Sequence, residues 1–184
     1  IRGTMPKETS TPLFVPGRVP AGLVPRLPKL QPQDAGGKQL WLDYAPAGEV
    51  EQDSAPTLHI IEQRATYQSV VKWTQRAIPV TFEAGRAWAR RGFRDVGGGG
   101  SDAAVFVLRD GTLLNISSSV LTAEDLLAVA ASLQAVPGGH APLPEPQPPT
   151  LAELRAQAPF PIFVPTWVPE GLMPDPPVDN GVGY

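Results

Sequence analysis

The chain has 184 residues, of which 42% are hydrophobic, and its 18 acidic and 15 basic side chains give a net charge of −3. That hydrophobic share is enough for a packed core, and the acidic balance provides no general attraction to nucleic acid or to an anionic membrane. The absence of cysteine excludes disulfides and thiolate metal sites, and no apolar run approaches the roughly 20 residues that span a bilayer.

A proline-anchored phrase occurs twice, beginning at Pro12 and at Pro161, with Phe, Val, Pro and Gly in register. The repetition predicts one module at residues 12–136, after a tail at 1–11, and the incomplete start of a second module at 150–184. Between them, residues 137–149 alternate proline with small or polar residues. This composition favours an extended polyproline II linker.

Within the first module, alternating and β-branched residues predict antiparallel strands at 38–44 and 57–63, with further strands at 78–83 and 87–93. Asp110 and Gly111 predict a tight hairpin turn between strands at 103–108 and 113–116. Residues 67–75 fit either a short helix or an irregular excursion. His59 alternates with Leu58 and Ile60, which predicts that it lies on the opposite face of the sheet from both.

A helix is predicted to begin after Thr122, which forms a variant of the capping box with Asp125, and to continue to about Gln134. Its apolar residues recur at helical spacing, so one face can pack on the sheet. Thr150 and Glu153 form the same kind of cap at the head of the second copy, and the first copy lacks this helix. The predicted fold class is α+β, an antiparallel sheet with one or two helices packed on one face.

The second copy consists of a helix and the proline-anchored phrase, without the rest of a module against which their apolar side chains could pack. We therefore expect its apolar side chains to pack on a module of the same chain or of a second copy by exchange of an identical element, which is a low-cost route to dimers. These side chains are Leu151, Leu154, Phe160, Ile162, Phe163 and Trp167.

The phrase at 160–172, the hairpin with its Asp-Gly turn and the capped helix at 121–133 resemble an uncharacterised bacterial domain. That domain occurs in extracytoplasmic parts of membrane-anchored anti-sigma-factor-like proteins and lipoproteins, and it is broadly similar to the lipoprotein-carrier and sigma-E-regulator group. The resemblance implies a curved sheet, an extracytoplasmic location with anchoring through parts outside this chain, and a noncatalytic role. It brings no catalytic residues. The stretch 96–101 departs from the family pattern.

Four arginines surround Trp88 and Phe93 and could form a cationic, aromatic surface for phosphate groups or an acidic partner; the alternative is an ordinary solvated face. Gly97 to Gly100 are predicted to form a mobile loop, since no Lys-Ser or Lys-Thr follows as in a phosphate-binding loop. The residues predicted to bind a partner are Arg86, Trp88, Arg90, Arg91, Arg94, Phe163 and Trp167.

No catalytic, cofactor-binding or metal-binding residue is predicted. Ser117 to Ser119 could meet His59 and a distant Asp, but any chain of this size offers such combinations. The leading prediction is a noncatalytic extracytoplasmic binding or sensing module that acts through protein–protein contacts in the bacterial envelope, or that self-associates through the segment from Thr150 to Tyr184. The alternatives are a carrier of lipid or another apolar ligand in a half-barrel cavity, and a structural spacer repeat.

Overall fold

The computed structural model describes residues 11–32, 37–49, 57–91, 103–137, 141–157 and 159. Its strands are β1 (Phe14–Pro16), β2 (Leu23–Pro25), β3 (Lys29–Pro32), β4 (Lys38–Pro46), β5 (Leu58–Arg64), β6 (Ile78–Val80), β7 (Arg86–Arg91), β8 (Ala103–Arg109), β9 (Thr112–Ser118) and β10 (Leu133–Ala135). The helices are α1 (Tyr67–Thr74), α2 (Ala123–Ala131) and α3 (Leu151–Gln157).

Eight strands form one curved, open antiparallel sheet in the order β2-β4-β5-β9-β8-β7-β6, with β3 also paired to β4. The predicted α+β fold is thereby confirmed. The two helices of the module lie on opposite faces of this sheet: α2 packs on one face and α1 packs on the other. We call these the α2 face and the α1 face.

Local signals account for the central hairpin and for both helix starts. Asp110 and Gly111 take positive φ values of 51° and 73°, as the two-residue turn between β8 and β9 requires. The Thr122 hydroxyl accepts from the Asp125 N–H at 3.2 Å, and the Asp125 carboxylate accepts from the Thr122 N–H at 3.0 Å. Thr66 and Ser69 form the equivalent box at α1, so residues 67–74 are a helix.

The predicted helix ends sooner than expected, at Ala131, because Leu133 begins strand β10. This strand pairs with β1, which is formed by the first copy of the proline-anchored phrase. Phe14 of that phrase is fully buried, and the Arg109 guanidinium lies 4.8 Å from the centre of its ring. The phrase is therefore a core strand of the module.

The main core lies between the α2 face and the elements that cover it. Alternate residues of five strands point to this face, and the apolar side of α2 packs against them. The largest apolar side chains there that are completely buried are Phe14, Leu40, Leu58, Ile60, Leu114, Ile116 and Leu126.

Candidate functional site

The α1 face carries a mixture of aromatic and polar side chains arranged in rows across the sheet. Strand register places Asp43, His59 and Ser117 side by side on β4, β5 and β9. The next row contains Trp41 and Ile61 on β4 and β5. The predicted position of His59, opposite to Leu58 and Ile60, agrees with this register.

A set of five side chains at the β4 and β5 end of this face forms what we call the Trp41 patch. The Trp41 indole N–H donates to the Gln39 amide oxygen at 3.1 Å, and the Gln39 amide nitrogen donates to the Gln63 amide oxygen at 2.7 Å. The rings of His59 and Trp41 are nearly perpendicular with centroids 5.0 Å apart, and His59 Nδ1 is hydrogen-bonded to the Asp43 carboxylate. Each side chain is thus held by its neighbours.

Asp43 supplies the negative charge of the patch. Burial alone would raise the pKa of this carboxyl, but the hydrogen bond from His59 and the charges of His59, Lys29 and Arg26 outweigh it and lower the pKa. Asp43 therefore remains ionised at neutral pH and fixes the orientation of the imidazole. The sequence alone did not single out Asp43 because its partner comes from the neighbouring strand.

Ser117 does not complete a catalytic arrangement with His59 and Asp43. It is the Cα partner of His59, but within the part of the chain that the structure describes, no hydrogen bond joins its side chain to the imidazole. The Ser118 hydroxyl instead donates to the Thr57 carbonyl oxygen at 2.6 Å. A serine nucleophile needs a base within hydrogen-bonding reach, so the row does not have the geometry of an activated hydroxyl.

At the β7 end of the same face, four side chains form what we call the arginine strip: Arg86, Trp88, Arg90 and Phe106. The Arg86 guanidinium lies 5.0 Å from the centre of the Trp88 ring, and that of Arg90 lies 5.2 Å from the Phe106 ring. Trp88 itself is only 8% exposed. The aromatic rings therefore form a floor on which the guanidinium groups are stacked.

The structure places Arg86, Trp88 and Arg90 on one face of the sheet, and their role in binding a partner stays a prediction. Arg91 is the last residue of β7 and pairs in register with Ala103. The other residues predicted for this role, namely Arg94, Phe163 and Trp167, lie outside the described residues, as does the predicted glycine loop.

The proline-rich segment 141–149 lies against the module next to the arginine strip. Leu143, Pro146 and Pro149 are half-buried, whereas the residues between them are exposed. The Leu143 N–H donates to the Asp110 carbonyl oxygen at 3.0 Å, and Arg86 Nη1 lies 3.7 Å from the Glu145 carboxylate. We call residues 141–149 the strap.

On the opposite face, one acidic side chain is buried in the apolar core. Glu62 is 2% exposed, and its carboxyl accepts a hydrogen bond from the Phe14 N–H at 3.0 Å. Burial raises its pKa to about 8, although the Phe14 bond opposes this shift. Burial, together with the charge of Glu62, raises the pKa of the neighbouring Tyr44 phenol to about 12. The signal in the sequence was a glutamate in phase with Leu58 and Ile60.

Among the described residues, no group of three or more His, Cys, Asp or Glu side chains could hold a metal ion. A helix long and apolar enough to cross a membrane is likewise not found in this part of the chain. Comparison with protein-family models, with curated proteins and with solved structures finds no match for this chain.

Proposed function

We propose that this chain contains a noncatalytic binding module of the bacterial envelope that works through protein–protein contacts on its α1 face. The observation that carries the proposal is the Trp41 patch, in which a half-exposed tryptophan is fixed by an imidazole and two amides. The resemblance of the sequence to extracytoplasmic domains supports the cellular location.

The Trp41 patch has two properties of binding surfaces, namely a large aromatic side chain and side chains that are held in one conformation. Interface energy is concentrated in a few large side chains, among which Trp, Tyr and Arg are enriched. A side chain already held in one orientation loses less conformational entropy on binding than a free one. Trp41 belongs to neither of the two buried clusters of the module, so it adds little to the folded core.

The arginine strip extends this surface along the same face and adds positive charge to it. The Arg86 guanidinium lies over the Trp88 ring, and its side chain is 60% exposed, so it can present its planar set of N–H groups to a carboxylate of a partner. The net charge of the chain is negative. A local cationic strip on an acidic module therefore favours an acidic protein partner more than it favours nucleic acid.

The carrier alternative draws no support from the α2 face. The side chains between the sheet and α2 include seven large apolar residues that are completely buried, and they pack against one another. An apolar ligand would need space that these side chains occupy.

The proposal can be tested by site-specific photo-crosslinking in the bacterium that makes the protein. A photoreactive phenylalanine analogue at position 41 is expected to give an adduct of defined mass, because a partner would cover the Trp41 patch. The matched control is position 120, where Val120 is 68% exposed and lies outside the α1 face.

The adduct from position 86 should contain the same partner as the adduct from position 41. An adduct of twice the chain mass would identify that partner as a second copy. Equal yields from positions 41, 86 and 120, or no adduct at 41 and 86, would contradict the proposal.

A further inference from the structure

The strap shows what kind of ligand the arginine strip accepts. We infer that the strip and the adjoining β8–β9 turn form a binding site for acidic, proline-rich segments in the polyproline II conformation, and that the strap occupies this site within its own chain. The inference rests on the proposed function only in taking the α1 face as a contact surface. It adds the chemical class of the partner and a means of regulation.

The spacing of the half-buried residues matches a polyproline II helix. Leu143, Pro146 and Pro149 are three residues apart, and only these positions of the strap are half-buried. A polyproline II helix has three residues per turn, so one of its edges is formed by every third side chain. The strap therefore lies on the module along one edge and leaves its other two edges in solvent.

Leu143 anchors the strap at the β8–β9 turn. Its N–H donates to the Asp110 carbonyl oxygen at 3.0 Å, and its side chain lies where a Cβ atom on Gly111 would overlap it. Gly111 has a φ of 73°, so the turn itself also favours glycine there. A single glycine thus serves both the hairpin and the contact with the strap.

Glu145 provides the acidic determinant. Its carboxylate lies 3.7 Å from Arg86, whose guanidinium is stacked over Trp88. Both side chains are substantially exposed, so solvent screens the pair and its contribution to affinity is small. We therefore assign the affinity mainly to Leu143 and the polyproline edge, and the preference for acidic segments to Arg86.

Occupation within the chain makes the site available only when the strap is released. A tethered ligand acts at an effective concentration in the millimolar range, so a free segment must compete with it. The apparent dissociation constant is then the intrinsic one divided by the fraction of sites that the strap leaves open, so it rises as the strap fills more of them. Release of the strap would turn a closed module into one that binds an acidic proline-rich partner.

The test is a fluorescence anisotropy titration of the full chain with a labelled peptide of sequence 141–150. One variant of the chain carries Leu143→Ser and Glu145→Lys in its own strap, leaving the site intact. We expect this variant to bind the peptide about ten-fold more tightly than the unaltered chain, because its site is vacated. Adding Arg86→Glu to it should weaken binding, and a peptide with Glu145→Lys should restore binding to that triple variant.

The matched control carries Pro144→Ser and Gln147→Lys, two changes at exposed positions of the strap, and should bind the peptide as the unaltered chain does. Equal affinity of the unaltered chain and the strap variant would overturn the inference, as would equal binding of native and charge-reversed peptides to the strap variant. Unchanged far-ultraviolet circular dichroism verifies that each variant folds.

The two proposals fail in different ways. If the peptide binds none of these chains while the adduct from position 41 persists, this inference is wrong and the proposed function stands. If the peptide binds as expected and no adduct forms from position 41 or 86, the site is supported and the wider proposed function is wrong.

Discussion

The two faces of the sheet are formed by alternate residues of the same strands, yet they differ in the burial and polarity of their side chains. On the α2 face, Leu40, Ile60, Leu114 and Ile116 are completely buried beneath a helix and a second small sheet. On the α1 face, the short helix α1 contacts β8 and β9, while Gln39, Trp41 and His59 of β4 and β5 remain partly exposed. In β4 and β5 the residues of the α2 face thereby stabilise the fold, and the alternate residues form the surface that we propose binds a partner.

The buried and the partly exposed side chains also differ in how much they stabilise the folded state. A large apolar side chain that is fully buried stabilises the folded state by about 1.5–3 kcal/mol through its removal from water. A half-exposed side chain in a polar network contributes less, because water can replace most of its contacts. Substitutions of the buried residues on the α2 face should therefore destabilise the module strongly, while those of the partly exposed residues in the Trp41 patch should leave it folded.

The largest effect is expected for Leu126→Ala on α2. Leu126 is completely buried, so its truncation leaves a cavity and should lower the free energy of unfolding by about 2–5 kcal/mol. Leu127→Ala is the control on the same helix, since Leu127 is only half-buried. Urea denaturation followed by circular dichroism measures both. Equal losses for the two variants would contradict the prediction that complete burial sets the contribution of a side chain to this core.

The second-largest effect on stability is expected for Glu62, the buried acidic residue on the α2 face. Its carboxyl keeps its proton up to about pH 8 when folded, against an ordinary value of 4.5. Between these values the unfolded chain binds fewer protons than the folded chain, so the free energy of unfolding falls as pH rises, by at most about 1.4 kcal/mol per unit. Above pH 8 this loss is complete.

Glu62→Gln removes that titration while keeping an acceptor for the Phe14 N–H. The variant should therefore gain about 2–4 kcal/mol over the unaltered chain between pH 5 and pH 8, and the difference should become constant above pH 8. Urea denaturation at a series of pH values measures it. Glu83→Gln, at an exposed position, is the control and should give no such trend. A difference that does not vary with pH would show that Glu62 is ionised throughout.

The parts of the fold that could be predicted are those that depend on residues close together in the sequence. Asp110 with Gly111, and Thr122 with Asp125, each specify a turn or a helix start within four positions, and both appear as expected. The strand at Leu133 was taken for the end of a helix because its spacing continues the helical pattern. The pairing of this strand with β1, more than one hundred residues away, overrides that pattern.

The candidate site was less predictable for the same reason. The cluster of arginines around Trp88 was visible in the sequence, and alternation along a strand sufficed to place Arg86 and Arg90 together. The contact of Asp43 with His59 depends on the register between two strands. The docking of the strap depends on tertiary contacts, because a proline-rich sequence suits a free spacer as well as a docked segment.

The smallest effect on stability is expected for Trp41→Ala, and it is the most informative about the α1 face. Trp41 makes one indole hydrogen bond and one ring contact, both at a partly exposed position, so the loss in free energy of unfolding should be about 1 kcal/mol. Its removal should nevertheless abolish the partner adduct formed from position 86, because the patch provides the main aromatic anchor. Val120→Ala is the control for an exposed apolar side chain. If Trp41→Ala instead destabilised the module as strongly as Leu126→Ala, Trp41 would be a core residue. The predicted difference in stability between the two faces would then be wrong.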